Sequence, residues 1–269
     1  MRIRPIPMIL GLVAALALTA CGVSAQAPAP SAPVTNTAIE VAAPARPPTL
    51  APVPVDHRPV WEGFEATTAE ETTLAARAHG PLDVYSEPGA PGPELTLEAT
   101  TILGTVTVLG VVTPPVDGWV EVMLPVRPNG STGWVSADQV SLYVADSRIV
   151  VDLRARLLTY SVDGVEVLQT EVGIGSRYNQ TPPGDYFVTD SVTLANPNSP
   201  WGPHALGLSA RSDTITSYNG GDGIIGLHGT NNPGSIGGNI SLGCVRLPND
   251  MITALHSMVP LGTRVEIRA

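Results

Sequence analysis

His228 and Cys244 are the side chains in this sequence best suited to covalent chemistry. They lie sixteen positions apart, joined by Gly-rich chain that can fold them together. A cysteine attacks as its thiolate, and a neighbouring imidazole can hold that thiolate as an ion pair at neutral pH. Gly243, just before the cysteine, leaves room for a substrate to approach, and nearby backbone N–H groups could form an oxyanion hole. Taken singly, a Cys after Gly in a strand is usually a small buried hydrophobe, and a lone His is more often structural. Taken together they point to a nucleophile and its base. The only other cysteine, Cys21, ends an apolar N-terminal run, so a disulfide with Cys244 is not expected. His204 and His256 could be combined with His228 and Cys244 as a zinc set, but the spacing fits no familiar template and no metal is expected.

The chain around this pair reads as β structure. Strand-like runs cover 149–153, 157–162 and 165–168, and Asp163-Gly164 between the last two is a strong hairpin signal. Another run, 186–189, follows Thr181-Pro182-Pro183-Gly184, and 263–267 alternates as a closing strand. Helical signal is scarce. The best candidate is Asn249 to Met258, with Asn249 or Asp250 as its N-cap. A mainly β fold with one or two short helices is the expectation.

Composition agrees. The 269 residues include 27 Gly and 27 Pro, too many for a helical bundle, and only 4% aromatics, so the core must rest on Val, Leu, Ile and Ala. A formal charge of −10 argues against nucleic acid as a partner, since phosphate binding needs clustered cations. All 14 basic residues are Arg, which removes Schiff-base and P-loop lysine chemistry. Between Trp61 and Ser147 there are twelve acidic residues against Arg77 and Arg127, a pattern read as a solvated surface.

The N-terminal end reads as export. Arg2 and Arg4 precede an apolar run too short to span a bilayer as a mature helix, as in a signal peptide over 1–20. Leu18-Thr19-Ala20-Cys21 resembles a bacterial lipobox, which implies lipidation of Cys21 and a membrane anchor. The alternative is a secretory signal cut after Ala25-Gln26-Ala27, and either way the mature protein lies outside the cytoplasm. Residues 21–60 are rich in Ala and Pro and form a tether, extended at about 3 Å per residue. Residues 74–146 then show short β runs between turns, and Gly118-Trp119-Val120 with Gly133-Trp134-Val135 resembles bacterial SH3-like modules. That resemblance implies a small barrel able to bind wall peptides. A barrel this small needs large side chains inside, so Trp119 and Trp134 are expected in its core.

Residues 147–269 resemble the L,D-transpeptidase catalytic domain, or YkuD domain. The residues that carry the likeness are His228-Gly229-Thr230, Ser235-Ile236-Gly237 and Ser241-Leu242-Gly243-Cys244-Val245-Arg246, with Thr181-Pro182-Pro183-Gly184-Asp185-Tyr186 upstream and Pro260-Leu261-Gly262-Thr263-Arg264-Val265 at the end. The resemblance implies a YkuD-type β-sandwich in which Cys244 is acylated, His228 is the general base and the Gly229 carbonyl orients the imidazole. It implies an oxyanion site at the backbone of Gly243 and Cys244. It further implies a substrate-binding role for Arg246, with Gly243 and Ser241, toward a peptidoglycan stem peptide. Leu242 departs from the pattern, since many relatives carry His there. The implied reaction is 3-3 crosslinking of stem peptides without metal or cofactor. Hydrolysis through the same thioester, or a non-catalytic wall-binding lipoprotein, are the rival readings.

Overall fold

The computed structural model describes residues 73–218 and 221–269. The signal peptide, the tether and Cys21 lie outside the described residues.

The first part of the described chain is a small β unit. Its strands are β1 (Thr73–Ala78), β2 (Leu82–Val84), β3 (Leu95–Leu97), β4 (Val108–Gly110), β5 (Trp119–Met123), β6 (Thr132–Ser136) and β7 (Val140–Ala145). Strands β4, β1 and β7 form an antiparallel sheet, and β2–β3 and β5–β6 are two-stranded ribbons. Period-2 alternation decides which side chains enter the core. Val120 and Val122 on β5 and Val135 on β6 are fully buried, whereas Trp119 and Trp134 point the other way and are only half-buried. The expectation that both tryptophans fill the core is therefore corrected. Trp119 instead packs edge-to-face on Tyr85, with ring centroids 5.1 Å apart.

The remainder is built on β8 (Ser147–Asp152), β9 (Leu157–Val162), β10 (Val165–Glu171), β11 (Ile174–Gly175), β12 (Gly184–Thr193), β13 (His204–Arg211), β14 (Ile224–His228), β15 (Asn239–Ser241), β16 (Val245–Arg246), the helix α1 (Asn249–Met258) and β17 (Arg264–Arg268). Eight strands form one sheet in the order β10-β9-β8-β17-β12-β13-β14-β16, and β11 pairs with β15 in a separate ribbon. The expected sandwich is thus one large curled sheet with a short ribbon beside it. The Asp163-Gly164 hairpin forms as read: both residues have positive φ, 50° and 72°, as a tight two-residue turn requires. The last strand, β17, runs parallel to β8 and antiparallel to β12, so the chain end sits inside the sheet.

Strand β13 was not anticipated. Leu206 through Arg211 are all buried, because both faces of this strand are covered, and such a strand shows no alternation. Helix α1 covers part of one face, burying Ile252 and Leu255 against β13 and β14. Its bounds match the sequence expectation, but its cap does not. Pro248 is the N-cap residue and makes no side-chain cap bond, while the Asn249 side chain turns outward to a neighbouring loop.

The two regions form one packed body. Phe187 of β12 is buried within the core of the small β unit. The Tyr143 hydroxyl donates to the Leu261 carbonyl at 2.8 Å, and burial pushes that phenol up to about 12. Thr101, in a loop of the small unit, donates to the buried Asp190 carboxylate, and Thr189 donates to its other oxygen at 2.7 Å.

Candidate active site

The end of β14 and the start of β16 bring the sequence-predicted pair into one cleft. These strands are parallel, with His228 in register with Arg246 and Leu227 with Val245. Parallel register sends His228 and Arg246 to the same face, while Leu227 and Val245 are fully buried on the other. Cys244 immediately precedes β16 and lines the same cleft as His228, Arg246, Ser241 and Leu242. The cleft holds about 570 Å³ of empty space, part of it open to solvent.

His228 is 5% exposed, and its Nδ1 lies 2.6 Å from the Gly229 carbonyl oxygen. A carbonyl only accepts, so Nδ1 carries the proton and Nε2 is left as the basic nitrogen. The Gly229 carbonyl therefore fixes the tautomer and orientation of the imidazole. It is held from behind by Asn249, whose Oδ1 accepts the Thr230 N–H at 2.8 Å. Gly202 and Gly229 meet backbone to backbone: a Cβ on Gly202 would lie 2.6 Å from the Gly229 Cα. Gly202 also has φ +67°, so both its conformation and its contact require glycine. Trp201 packs its ring on the imidazole, with centroids 4.4 Å apart.

The loop before Cys244 is held as tightly. The Ser241 hydroxyl accepts the Gly243 N–H at 3.1 Å and donates to the Cys244 carbonyl at 2.6 Å. Thr181 donates to the Gly243 carbonyl at 2.8 Å and accepts the Gly175 N–H at 2.9 Å. Gly243 adopts φ +120°, and a Cβ there would meet Ile225 Cδ1 at 2.9 Å. These bonds engage two of the groups expected at the substrate. The Gly243 N–H is engaged by Ser241 and is not free for an oxyanion, which leaves the Cys244 N–H, without a partner among the described residues. Ser241, expected to bind substrate, has its one proton committed to the Cys244 carbonyl and acts on the loop's shape.

Electrostatics also differ from the simplest reading. Burial pushes the His228 imidazole down to about 4, against a partial offset from the Gly229 carbonyl and a further lowering by the Arg246 charge. Burial pushes the Cys244 thiol up, and its Sγ sits 3.9 Å from the Ile224 carbonyl oxygen. At neutral pH the resting pair is thus a thiol and a neutral imidazole in one cleft, in place of the expected ion pair. Such a histidine is unprotonated and ready to accept a proton.

Arg246 is half-buried, forms no ion pair among the described residues, and its Nε is buried without a hydrogen-bond partner. A cation left unpaired in a cleft suits an anionic ligand. Leu242 is 52% exposed at the cleft mouth. Among the described residues no group of three or more side chains could hold a metal ion. His204 and His256 stack on each other with centroids 4.1 Å apart, away from the cleft lining.

Three contributors were missed in the sequence: Trp201, the Thr181 hydroxyl and the Asn249 amide. Trp201 is an isolated aromatic within Asn198-Ser199-Pro200-Trp201-Gly202-Pro203, while Thr181 and Asn249 read in the sequence only as a motif residue and a helix cap. Both polar groups act over long separations that no local pattern encodes.

A cleft lined by a buried histidine and a cysteine defines a class of site, and similarity to known proteins identifies it. Residues 146–267 match the L,D-transpeptidase catalytic domain family, YkuD. The chain is 34% identical over 125 residues to YkuD of Bacillus subtilis, spanning 46% of this chain and 68% of that protein. It is 32% identical over 154 residues to YkuD of Bacillus licheniformis, spanning 55% of this chain and 85% of that one. Among solved structures, an L,D-transpeptidase from Mycobacterium smegmatis is similar at 20% identity and a TM-score of 0.38, covering 70% of this chain and all of that one. The chain belongs to the YkuD family of L,D-transpeptidases.

Proposed function

We propose that this protein is an exported L,D-transpeptidase that forms 3-3 crosslinks between peptidoglycan stem peptides through an acyl-enzyme on Cys244. The observation that carries the reading is the bond from His228 Nδ1 to the Gly229 carbonyl, which leaves Nε2 basic in the cleft that Cys244 lines. In the first half-reaction His228 Nε2 takes the thiol proton as Cys244 Sγ attacks the carbonyl joining the third stem residue to its terminal D-Ala. The Gly229 carbonyl stabilises the imidazolium that forms, the role a third side chain has in other triads. The Cys244 N–H supports the oxyanion. Collapse of the tetrahedral species breaks the C–N bond, His228 returns its proton to the departing D-Ala amine, and a thioester remains. An amine of a second stem then attacks that thioester, His228 removes its proton, and the thiol is regenerated. Arg246 offers a planar cation to a carboxylate of the donor stem.

The rest of the chain is read to match. Cys21 is the lipidated residue, residues 21–60 are the tether, and the small β unit is an SH3-like module. The short β ribbons around a shared valine core support that last reading.

The test is incubation of the purified protein with a disaccharide-tetrapeptide, followed by mass spectrometry of the products. Loss of D-Ala with accumulation of 3-3 dimers is expected, and Cys244→Ala should give neither. Tripeptide monomers without dimers would assign hydrolysis instead. Unchanged tetrapeptide under several acceptor conditions would overturn the enzymatic reading. Mass spectrometry of the mature N-terminus checks the anchor: a diacylated Cys21 is expected, and an unmodified terminus at or beyond Gly22 rules the anchor out.

A further inference from the structure

The turn between β5 and β6 of the small β unit reaches across to the chain that walls the active-site cleft. The wall is made by residues following β13: Ser212, Ile215, Tyr218 and Gly223 all line the cleft. Tyr218 stands 6.3 Å, ring to ring, from Trp201, which itself lies on His228. Residues 212–217 are irregular backbone outside any sheet, so the Ser212 and Ile215 carbonyls need partners from elsewhere. They come from the small unit. Arg127 Nη2 donates to the Ser212 carbonyl at 2.8 Å and to the Ile215 carbonyl at 3.2 Å. Asn129 makes a two-way pair with Arg211, its Nδ2 donating to the carbonyl and its Oδ1 accepting the N–H, each at 2.8 Å.

Charge completes the clamp. Arg211 is 8% exposed, pairs with Asp222 at 2.8 Å and donates to the Pro125 carbonyl at 2.6 Å. Arg127 reaches the same Asp222 oxygen at 3.5 Å, so one carboxylate ties the two arginines together. Ser212 in turn donates to the Gly223 carbonyl at 2.8 Å, which brings the two ends of the wall together. The bonds from Arg127 and Asn129 end on main chain and on the Asp213 and Asp222 carboxylates, so their effect is on the wall's position and not on any reacting atom.

We infer that Arg127 and Asn129 are positioning residues for substrate: the small β unit fixes the wall over 211–218, and thereby Ile215 and Tyr218, in the shape that receives the donor stem. The inference rests on the transpeptidase reading for the identity of that ligand. A wall that touches substrate alike in ground and transition states controls KM and leaves kcat little changed. The wild-type chain is compared with the double variant Arg127→Ala/Asn129→Ala in three measurements. Amide exchange across 212–218 should speed up at least about tenfold, as expected when a local opening loses its restraints. KM for the disaccharide-tetrapeptide should rise about tenfold, with kcat within about twofold. Alkylation of Cys244 by iodoacetamide, which needs only the thiol, should be unchanged.

Unchanged exchange overturns the clamp. Faster exchange with unchanged KM overturns its role in substrate positioning, and an equal loss of kcat and alkylation would make the contact a general structural one. Arg127→Met, which leaves Asn129 and the Arg211–Asp222 pair intact, serves the same comparison should the double variant not fold. A wild-type chain with no turnover would overturn the transpeptidase reading alone, because exchange across 212–218 decides the clamp without substrate.

Discussion

Asn249 Oδ1 accepts the Thr230 N–H at 2.8 Å, tying the first residue of α1 to the turn whose carbonyl holds His228. Thr230 is buried, so losing this acceptor strands an N–H away from water. Asn249→Ala should cost about 1–3 kcal/mol. It should also lower kcat, since the Gly229 carbonyl loses its support. Asn249→Asp, which keeps an oxygen in place, should retain most of both. Paired urea melts and turnover measurements check this, and an Asp variant no better than Ala would remove the hydrogen bond from the explanation.

Gly202→Ala should disrupt the site from a distance. The positive φ costs a side chain about 1–2 kcal/mol, and the contact with Gly229 adds overlap on rigid backbone. A loss of stability of at least about 2 kcal/mol is expected, together with a changed Trp201 fluorescence as the ring shifts from His228. Wild-type fluorescence in a folded variant would show that the two glycines do not set the Trp201–His228 contact.

The neutral resting pair has a kinetic signature. Because burial raises the Cys244 thiol, its alkylation by iodoacetamide should climb with pH and remain incomplete where an ordinary thiol has already ionised. A plateau reached near pH 6 would instead reveal a preformed thiolate–imidazolium pair.

His228 also links stability to pH. Its imidazole titrates at 6.5 in the unfolded chain and at about 4 in the folded one. Between those values the unfolded chain binds the extra proton. The contribution is therefore fully present above 6.5 and is lost as pH falls toward 4. The shift corresponds to about 3 kcal/mol. Urea denaturation of the wild type and of His228→Gln at pH 7 and pH 4 should show the variant losing less stability by about that amount. Equal losses in the two proteins would mean that the histidine titrates freely.

Arg246→Lys should raise KM for the donor stem while leaving thermal stability nearly unchanged. Arg246 has no ion pair to break among the described residues, and a point charge cannot reproduce a two-pronged contact with a carboxylate. Equal loss of stability and turnover would assign Arg246 to the scaffold.

Much of this protein was written locally. The Asp163-Gly164 hairpin, the bounds of α1, and the His228-Gly229-Thr230 and Gly243-Cys244-Val245-Arg246 segments were legible because turn chemistry, helical periodicity and motif spacing act within a few residues. What the tertiary structure decided lies in partners far apart in the chain. Thr181 and Gly243 are 62 residues apart, and Asn129 and Arg211 are 82 apart. Strand β13 escaped notice because burial on both faces erases alternation. The tryptophans of the small unit were misread because valine, one position along each strand, faces the core. The charge state of the catalytic pair was hidden for a related reason. Residue type and spacing say that a base can stand near a thiol, but only packing sets the desolvation that leaves both neutral.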